Sequence, residues 1–476
     1  MKRKFLKDIS ANSLQVIINQ FCGLGIFYVL STHLSKTEFG EINWSLAVLL
    51  TLFGILACGI DQVVVRRIAS GQNEQNILSV YISHVLLSGI FVYGLLLASE
   101  FIFSSFFLKH NLLLFLGIGK LMIFFSTPFK QLATGLEKFK PLLYMNICSN
   151  IFRSIALILL ATIAHLDMVT IIVIFIAGDL LELILCFFIT QQIIKVPVVL
   201  RWDKDAYAGL VKESLPQLGV AIFTSVIARF DWIFLGLYTT SIILANYSFA
   251  YKIFEVSTLP MLVIAPVLIP RLTKIFHPAA GEITTVKLND LFVLLRLEMV
   301  IASLVALMLN ILWVPVIDFI TTGKYGAVNV NTILLLSATM PFLYLNNYLW
   351  TINFAKGRLK MIFYIFLVTF LVNITANIIL IHFYNADGAA AAYLLTIISQ
   401  SIMYLAATKL PGLKRSSTAV LFSPACALAS GWLASYIFVN YIAQLLLGCC
   451  VFLVLLFFTK QVRVSDWPVV KRVTEL

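Results

Sequence analysis

The chain has 476 residues, 61% of them hydrophobic and only 12% charged, with a formal net charge of +12 and a mean hydropathy of +0.99. Soluble domains carry about 25% charged residues, so this chain lacks the polar side chains to cover a water-facing surface, and lipid must be its solvent. That excludes a soluble enzyme or binding module, and the basic balance fits membrane topology and anionic lipid better than nucleic acid.

The amino terminus, Met1-Lys2-Arg3-Lys4, resembles the charged start of a signal peptide. The apolar stretch behind it is long and lacks a small-residue cleavage site, so it is expected to stay as the first helix. A span needs about twenty apolar residues. Such runs fall at 9–33, 40–60, 77–103, 110–130, 142–165, 168–192, 214–238, 245–270, 290–316, 331–354, 361–384, 387–408, 418–438 and 441–459. The fold expected is therefore all-α and polytopic, with about fourteen transmembrane helices. His165-Leu166-Asp167 and Asn385-Ala386-Asp387 serve as tight turns between neighbouring spans.

Loop charge tests this reading independently. With the amino terminus inside, the inner segments collect Lys2, Arg3, Lys4 and Lys7; Arg66 and Arg67; Lys130, Lys138 and Lys140; Lys195, Arg201, Lys204 and Lys212; and comparable clusters after spans 8, 10, 12 and 14. The outer loops hold Lys36, Lys109 and Lys324. This alternation follows the positive-inside rule and places both termini in the cytoplasm, in a multi-pass protein of the cell (inner) membrane.

The first twelve spans contain a repeat. Gly40-Glu41-Ile42-Asn43 followed by Arg66 has its counterpart in Ala245-Asn246-Tyr247-Ser248 followed by Arg271 at the same spacing. Lys140, Tyr144, Ala156 and Asp167 match Lys360, Tyr364, Ala376 and Asp387 in the same way. The expected organisation is an N-lobe at 1–195 (spans 1–6), a cytoplasmic linker at 196–213 and a C-lobe at 214–410 (spans 7–12). Spans 13 and 14 with a cytoplasmic tail follow at 411–476. Units with an even number of spans are parallel repeats, which rock against each other around a site near the midplane.

Two passages carry a family resemblance. One is Leu34-Ser35-Lys36-Thr37-Glu38-Phe39-Gly40-Glu41, continuing to Gly59-Ile60-Asp61 and Arg66-Arg67-Ile68-Ala69. The other is Arg229-Phe230-Asp231, Ala245-Asn246-Tyr247-Ser248-Phe249-Ala250 and Pro270-Arg271-Leu272. With the division into six, six and two spans, the chain resembles the polysaccharide-biosynthesis (Wzx-type, O-antigen and exopolysaccharide) flippases of the multidrug/oligosaccharidyl-lipid/polysaccharide exporter superfamily. The resemblance implies two lobes around a central cavity, alternating access, and export of undecaprenyl-pyrophosphate-linked oligosaccharide. It also implies membrane lipids and other polysaccharide-assembly proteins as partners, and no nucleic acid.

Ionisable residues at membrane depth are functional candidates, because each costs about 2.5–3.5 kcal/mol to insert. The basic set is Lys120, Arg153, Arg229, Lys252 and Arg296; the acidic set is Asp179, Glu182, Asp231, Glu255 and Glu298. Asn146, Asn150 and Arg153 share one helical stripe, and Gln217 heads a small-polar stripe ending at Asp231. Ser248, Lys252, Glu255 and Thr258 form another, as do Asn12, Gln15 and Asn19, and Thr369, Asn373 and Asn377. The cavity candidates are Arg153, Lys120, Arg229, Lys252, Arg296, Asn146, Asn150, Gln217, Asn373 and Asn377. Cations there suit a pyrophosphate, and amides suit sugars. The competing reading is that these charges pair to lock helices together, Lys252 with Glu255 first. Asp231, Asp179, Glu182 and Glu255 are candidates for coupling transport to a Na+ or H+ gradient. Pro260, Pro266 and Pro270 are hinge candidates, whereas Pro128 and Pro216 read as helix ends.

Seven cysteines lie in apolar runs without metal-ligand spacing, so no metal and no bound cofactor is expected. No nucleotide loop, G-x-S-x-G or H-E-x-x-H motif occurs, and the outer loops are short, so a membrane-embedded polymerase or ligase is the remote alternative. Nearer alternatives are a peptidoglycan-precursor flippase and a multidrug or cation antiporter of the same superfamily.

Overall fold

The computed structural model describes residues 2–163, 166–261, 285–413, 418–463 and 466, and there it contains helices joined by turns and irregular segments, without a strand. Short polar side chains set where the helices start. Ser35 opens α2 (Lys36–Leu56) with a capping box: its hydroxyl accepts the Glu38 N–H, while the Glu38 carboxylate accepts the Ser35 N–H. The resemblance passage around Leu34–Glu41 thus contains a helix-start device. Asn73 caps α4 (Glu74–Ile102), Asp167 caps α8 (Met168–Ile189), Asp203 caps α9 (Lys204–Tyr238) and Asn440 caps the last helix, each by accepting N–H groups of the first turn.

The amino-terminal unit covers 1–245. It contains α1 (Lys2–His33), α2, α3 (Ile60–Ala69), α4, α5 (Ser104–Lys109), α6 (Leu112–Gly135), α7 (Phe139–Ile163), α8 and α9. Helix α6 is its centre, packed against α2, α3, α4, α7 and α8, while α1 lies along α7 and α9 along α2. Cys58 and Gly59 take left-handed backbone angles between α2 and α3, so the second span ends there and the short helix α3 follows it. Pro128 lies inside α6, not at a helix end as the sequence suggests. Pro266 and Pro270 lie outside the described residues.

The carboxy-terminal unit, 246–476, begins within α10 (Ser241–Ser257). It continues with α11 (Thr285–Thr321), α12 (Val330–Ala338), α13 (Met340–Ala355), α14 (Leu359–Ala407), α15 (Ala419–Ile437) and α16 (Tyr441–Phe458). Helix α11 packs against α12, α13, α15 and α16. Helix α14 is two spans, because Asn385 (φ 51°) breaks it at the expected turn. Among the described residues, 10 helices are long and apolar enough to cross a membrane. With α14 counted as two, and α1, α9 and α10 in the remaining predicted runs, the expected all-α multi-span fold is present.

The surface is the reverse of a soluble protein's. Phe101, Phe319, Tyr436 and Val439 are more than four-fifths exposed, as suits contact with lipid. Hydroxyls inside the membrane are turned back onto their own helix, as in Thr134 to Lys130, Thr190 to Cys186 and Thr369 to Ile365. Amides bridge helices instead: Asn150 donates to Asn19, Asn346 to Gln400 and Asn310 to Ser337.

A buried charge network and an apolar groove

Helices α6, α7 and α8 bring five charged side chains together inside the amino-terminal unit. The Lys120 ammonium lies 3.0 Å from Asp179 Oδ2, and Arg153 Nη2 lies 2.9 Å from Asp179 Oδ1. The same Arg153 nitrogen lies 3.4 Å from Glu182 Oε2, and Glu182 also accepts from Lys130 and from the Ser149 hydroxyl. Lys120, Arg153, Asp179 and Glu182 are all buried. Gly119 and Gly178 make room for this packing. A Cβ on Gly119 would collide with the Asp179 carboxylate, and one on Gly178 with the Arg153 side chain.

Four predicted site residues therefore meet in one network, with the basic ones held by carboxylates. Lys130 is a correction. Its charge places it in a cytoplasmic loop, but α6 continues to Gly135 and Lys130 reaches back to Glu182. Among the described residues three basic side chains face two carboxylates, a formal excess of one positive charge, and Arg153 Nε is buried without a hydrogen-bond partner. An excess cation in a low-dielectric site favours an anion nearby.

The other candidates lie apart from this network. Arg229 is half-buried with its guanidinium 4.9 Å from the centroid of the Trp232 ring. Lys252 pairs with Glu255 at 2.7 Å, and Arg296 pairs with Asp466 at 2.6 Å. Asp231 is buried and accepts the Trp232 N–H. Asn146 donates to the Leu142 carbonyl, Asn373 to Thr396 and Asn377 to the Asn373 carbonyl. The Gln217 side chain lies outside the described residues.

Sequence reasoning missed a polar cluster where Glu41 of α2 accepts from Ser241 and lies 2.8 Å from His110 Nδ1. The Trp44 ring lies tilted against His110, with centroids 4.3 Å apart, and its N–H donates to the Ile233 carbonyl. No single motif announces it, because its members come from segments distant in sequence: α2, the residue His110 before α6, the end of α9 and the start of α10. The carboxy-terminal unit carries a different feature, an apolar groove of about 650 Å³. Leu307 and Val314 of α11, Leu334 of α12, Pro341 of α13 and Leu428 and Trp432 of α15 line it, with Tyr441 of α16 at one side. Its few polar groups include Asn310, which is already bonded to Ser337.

Residues 5–276 match the family model described as "Polysaccharide biosynthesis protein". The chain belongs to this family. No curated protein matches it by sequence. Among solved structures, the chain is similar to the lipid II flippase MurJ in an inward closed conformation, with a TM-score of 0.75, 18% identity, and 95% of this chain and 99% of that one covered. It is also similar to an inward-facing multidrug-resistance MATE family transporter of the MOP superfamily, with a TM-score of 0.65, 14% identity and 86% and 98% covered. A MOP superfamily transporter from Pyrococcus furiosus Vc1, described as having a binding pocket of reverse polarity, aligns with a TM-score of 0.56, 15% identity and 87% and 96% covered. The fold is that of a multi-pass membrane transporter.

Proposed function

We propose that the protein is a flippase for polyprenyl-pyrophosphate-linked saccharides, moving them from the cytoplasmic to the outer leaflet by alternating access. The observation that carries this reading is the apolar groove of the carboxy-terminal unit, whose volume and lining suit an isoprenoid chain far better than a sugar. The unbalanced positive charge among Lys120, Lys130, Arg153, Asp179 and Glu182 supports it, since a pyrophosphate is the anionic part of such a cargo. Family membership favours a polysaccharide repeat unit as the saccharide. The extent of the fold likeness to a lipid II flippase favours a second reading, a peptidoglycan precursor.

Depletion of the protein separates these cargoes. Loss of surface polysaccharide with intact growth supports the first, and lysis with accumulated peptidoglycan precursor supports the second. Normal surface glycan and normal growth, with lost drug efflux, would overturn both.

A further inference from the structure

Glu298 lies on α11 and is 5% exposed. Other buried carboxylates of the described membrane interior have partners: Asp179 and Glu182 meet cations, and Asp231 accepts an N–H; the half-buried Asp61 meets the Tyr81 hydroxyl. Among the described residues, Glu298 has neither an ion pair nor a hydrogen bond.

The sequence of its surroundings explains why. The helices packed on α11 are α12, α13, α15 and α16, and none of them contains a lysine, arginine, aspartate or glutamate. Among the described residues, the titratable groups that face it are the hydroxyls of Tyr344 and Tyr348 on α13. Tyr348 donates to the Leu291 carbonyl, and the Tyr344 oxygen is buried without a hydrogen-bond partner. On its own helix, Arg296 is two residues away, about 200° around the axis, and is held by Asp466. Leu295, Met299 and Ala302, which flank Glu298 on the buried side of α11, are fully buried.

A carboxylate with no counter-charge in such a place gives up its charge or its place. We propose that Glu298 is a proton-binding site: it carries a proton in this packed conformation and releases it when α11 and α13 repack. In the release step the carboxyl O–H bond breaks, the proton passes to water, and the carboxylate left behind disfavours the packed state. Because protonated and ionised forms prefer different packings, proton occupancy and conformation are linked. Arg296 and Asp466 lie only about 3 Å further along the helix axis toward the cytoplasmic end, so the proton given up on repacking leaves toward that side. The site gives a flippase of the proposed kind a proton gradient to work with.

The test uses the full chain in lipid nanodiscs and in proteoliposomes, comparing wild type with Glu298→Gln and Glu298→Asp. Infrared spectra at neutral pH should show a protonated-carboxyl band that Glu298→Gln removes. In proteoliposomes loaded with polyprenyl-pyrophosphate oligosaccharide, an imposed proton gradient should speed transport by roughly fivefold or more. Glu298→Gln should abolish that response, and Glu298→Asp should restore it with a shifted pH profile. An unchanged infrared band in Glu298→Gln, or a gradient response that survives the substitution, overturns the proposal. Failure of Glu298→Gln to accumulate does so as well, because glutamine is the neutral isostere of the protonated side chain. A wild type that moves none of this lipid refutes the cargo reading, while the infrared band still decides the protonation of Glu298.

Discussion

Asp179 meets two cations, Lys120 and Arg153, and is almost wholly buried. Its replacement by Asn would leave Lys120 alone and Arg153 dependent on Glu182. Breaking a buried pair by removing one partner costs about 3–5 kcal/mol, so Asp179→Asn should sharply lower thermal stability in detergent and abundance in the membrane. Lys120→Met with Asp179→Asn should recover much of that loss, because both charges are then gone. Gly236 makes a separate point about space. A Cβ there would occupy the position of the Trp44 indole, so Gly236→Val should force α9 away from α2 at a cost of about 1–3 kcal/mol, read by thermal unfolding. Asp167 is exposed, and its carboxyl is held below the usual range by the Thr170 hydroxyl and N–H. A lowered value means that the capping contribution is present above the unfolded value of 3.8 and is lost as pH falls below it. Amide exchange in the first turn of α8 should therefore lose protection in that window, and Asp167→Ala should show the same loss at neutral pH.

At the scale of helices, the sequence was most informative where lipid dictates the pattern. Apolar runs and loop charge located the spans, and the Asn385 turn fell where expected, because a backbone in hydrocarbon must either be helical or turn back at an interface. Pairing between helices was legible only in part. Helical phase places Asp179 and Glu182 on one face of α8 but says nothing of which neighbour brings the cation. Lys130 escaped because it stands at the end of the apolar run, where a lysine reads as the start of a basic inner loop, although α6 runs on to Gly135. The expected end of the second span fell at the Cys58–Gly59 turn, but the short helix α3 behind it was not legible, because its ten residues are too few and too polar to read as a span. Glu298 was recognised as a membrane-depth charge, but its lack of a partner depends on four helices that contribute no ionised group.

For the whole molecule, the alternation of basic loops predicts which segments each aqueous compartment reaches. Single cysteines at Lys36, Lys109 and Lys324 should react with an impermeant thiol reagent applied to intact cells, and cysteines at Lys140 and Lys356 should react only after permeabilisation. Reaction of Lys356→Cys from outside would invert the order of every later span. The network of Lys120, Lys130, Arg153, Asp179 and Glu182 adds an electrical consequence. Its one uncompensated positive charge sits inside α6–α8, within the field set by the membrane potential. A full charge crossing the membrane exchanges about 2.3 kcal/mol per 100 mV with that field. A conformational step that carries the network through a quarter of the field would thus be worth about 0.6 kcal/mol per 100 mV, enough to make its rate depend on voltage. A cargo phosphate seated beside the network would cancel the charge, so the loaded protein should cross that step with little response to voltage, and the empty one with more.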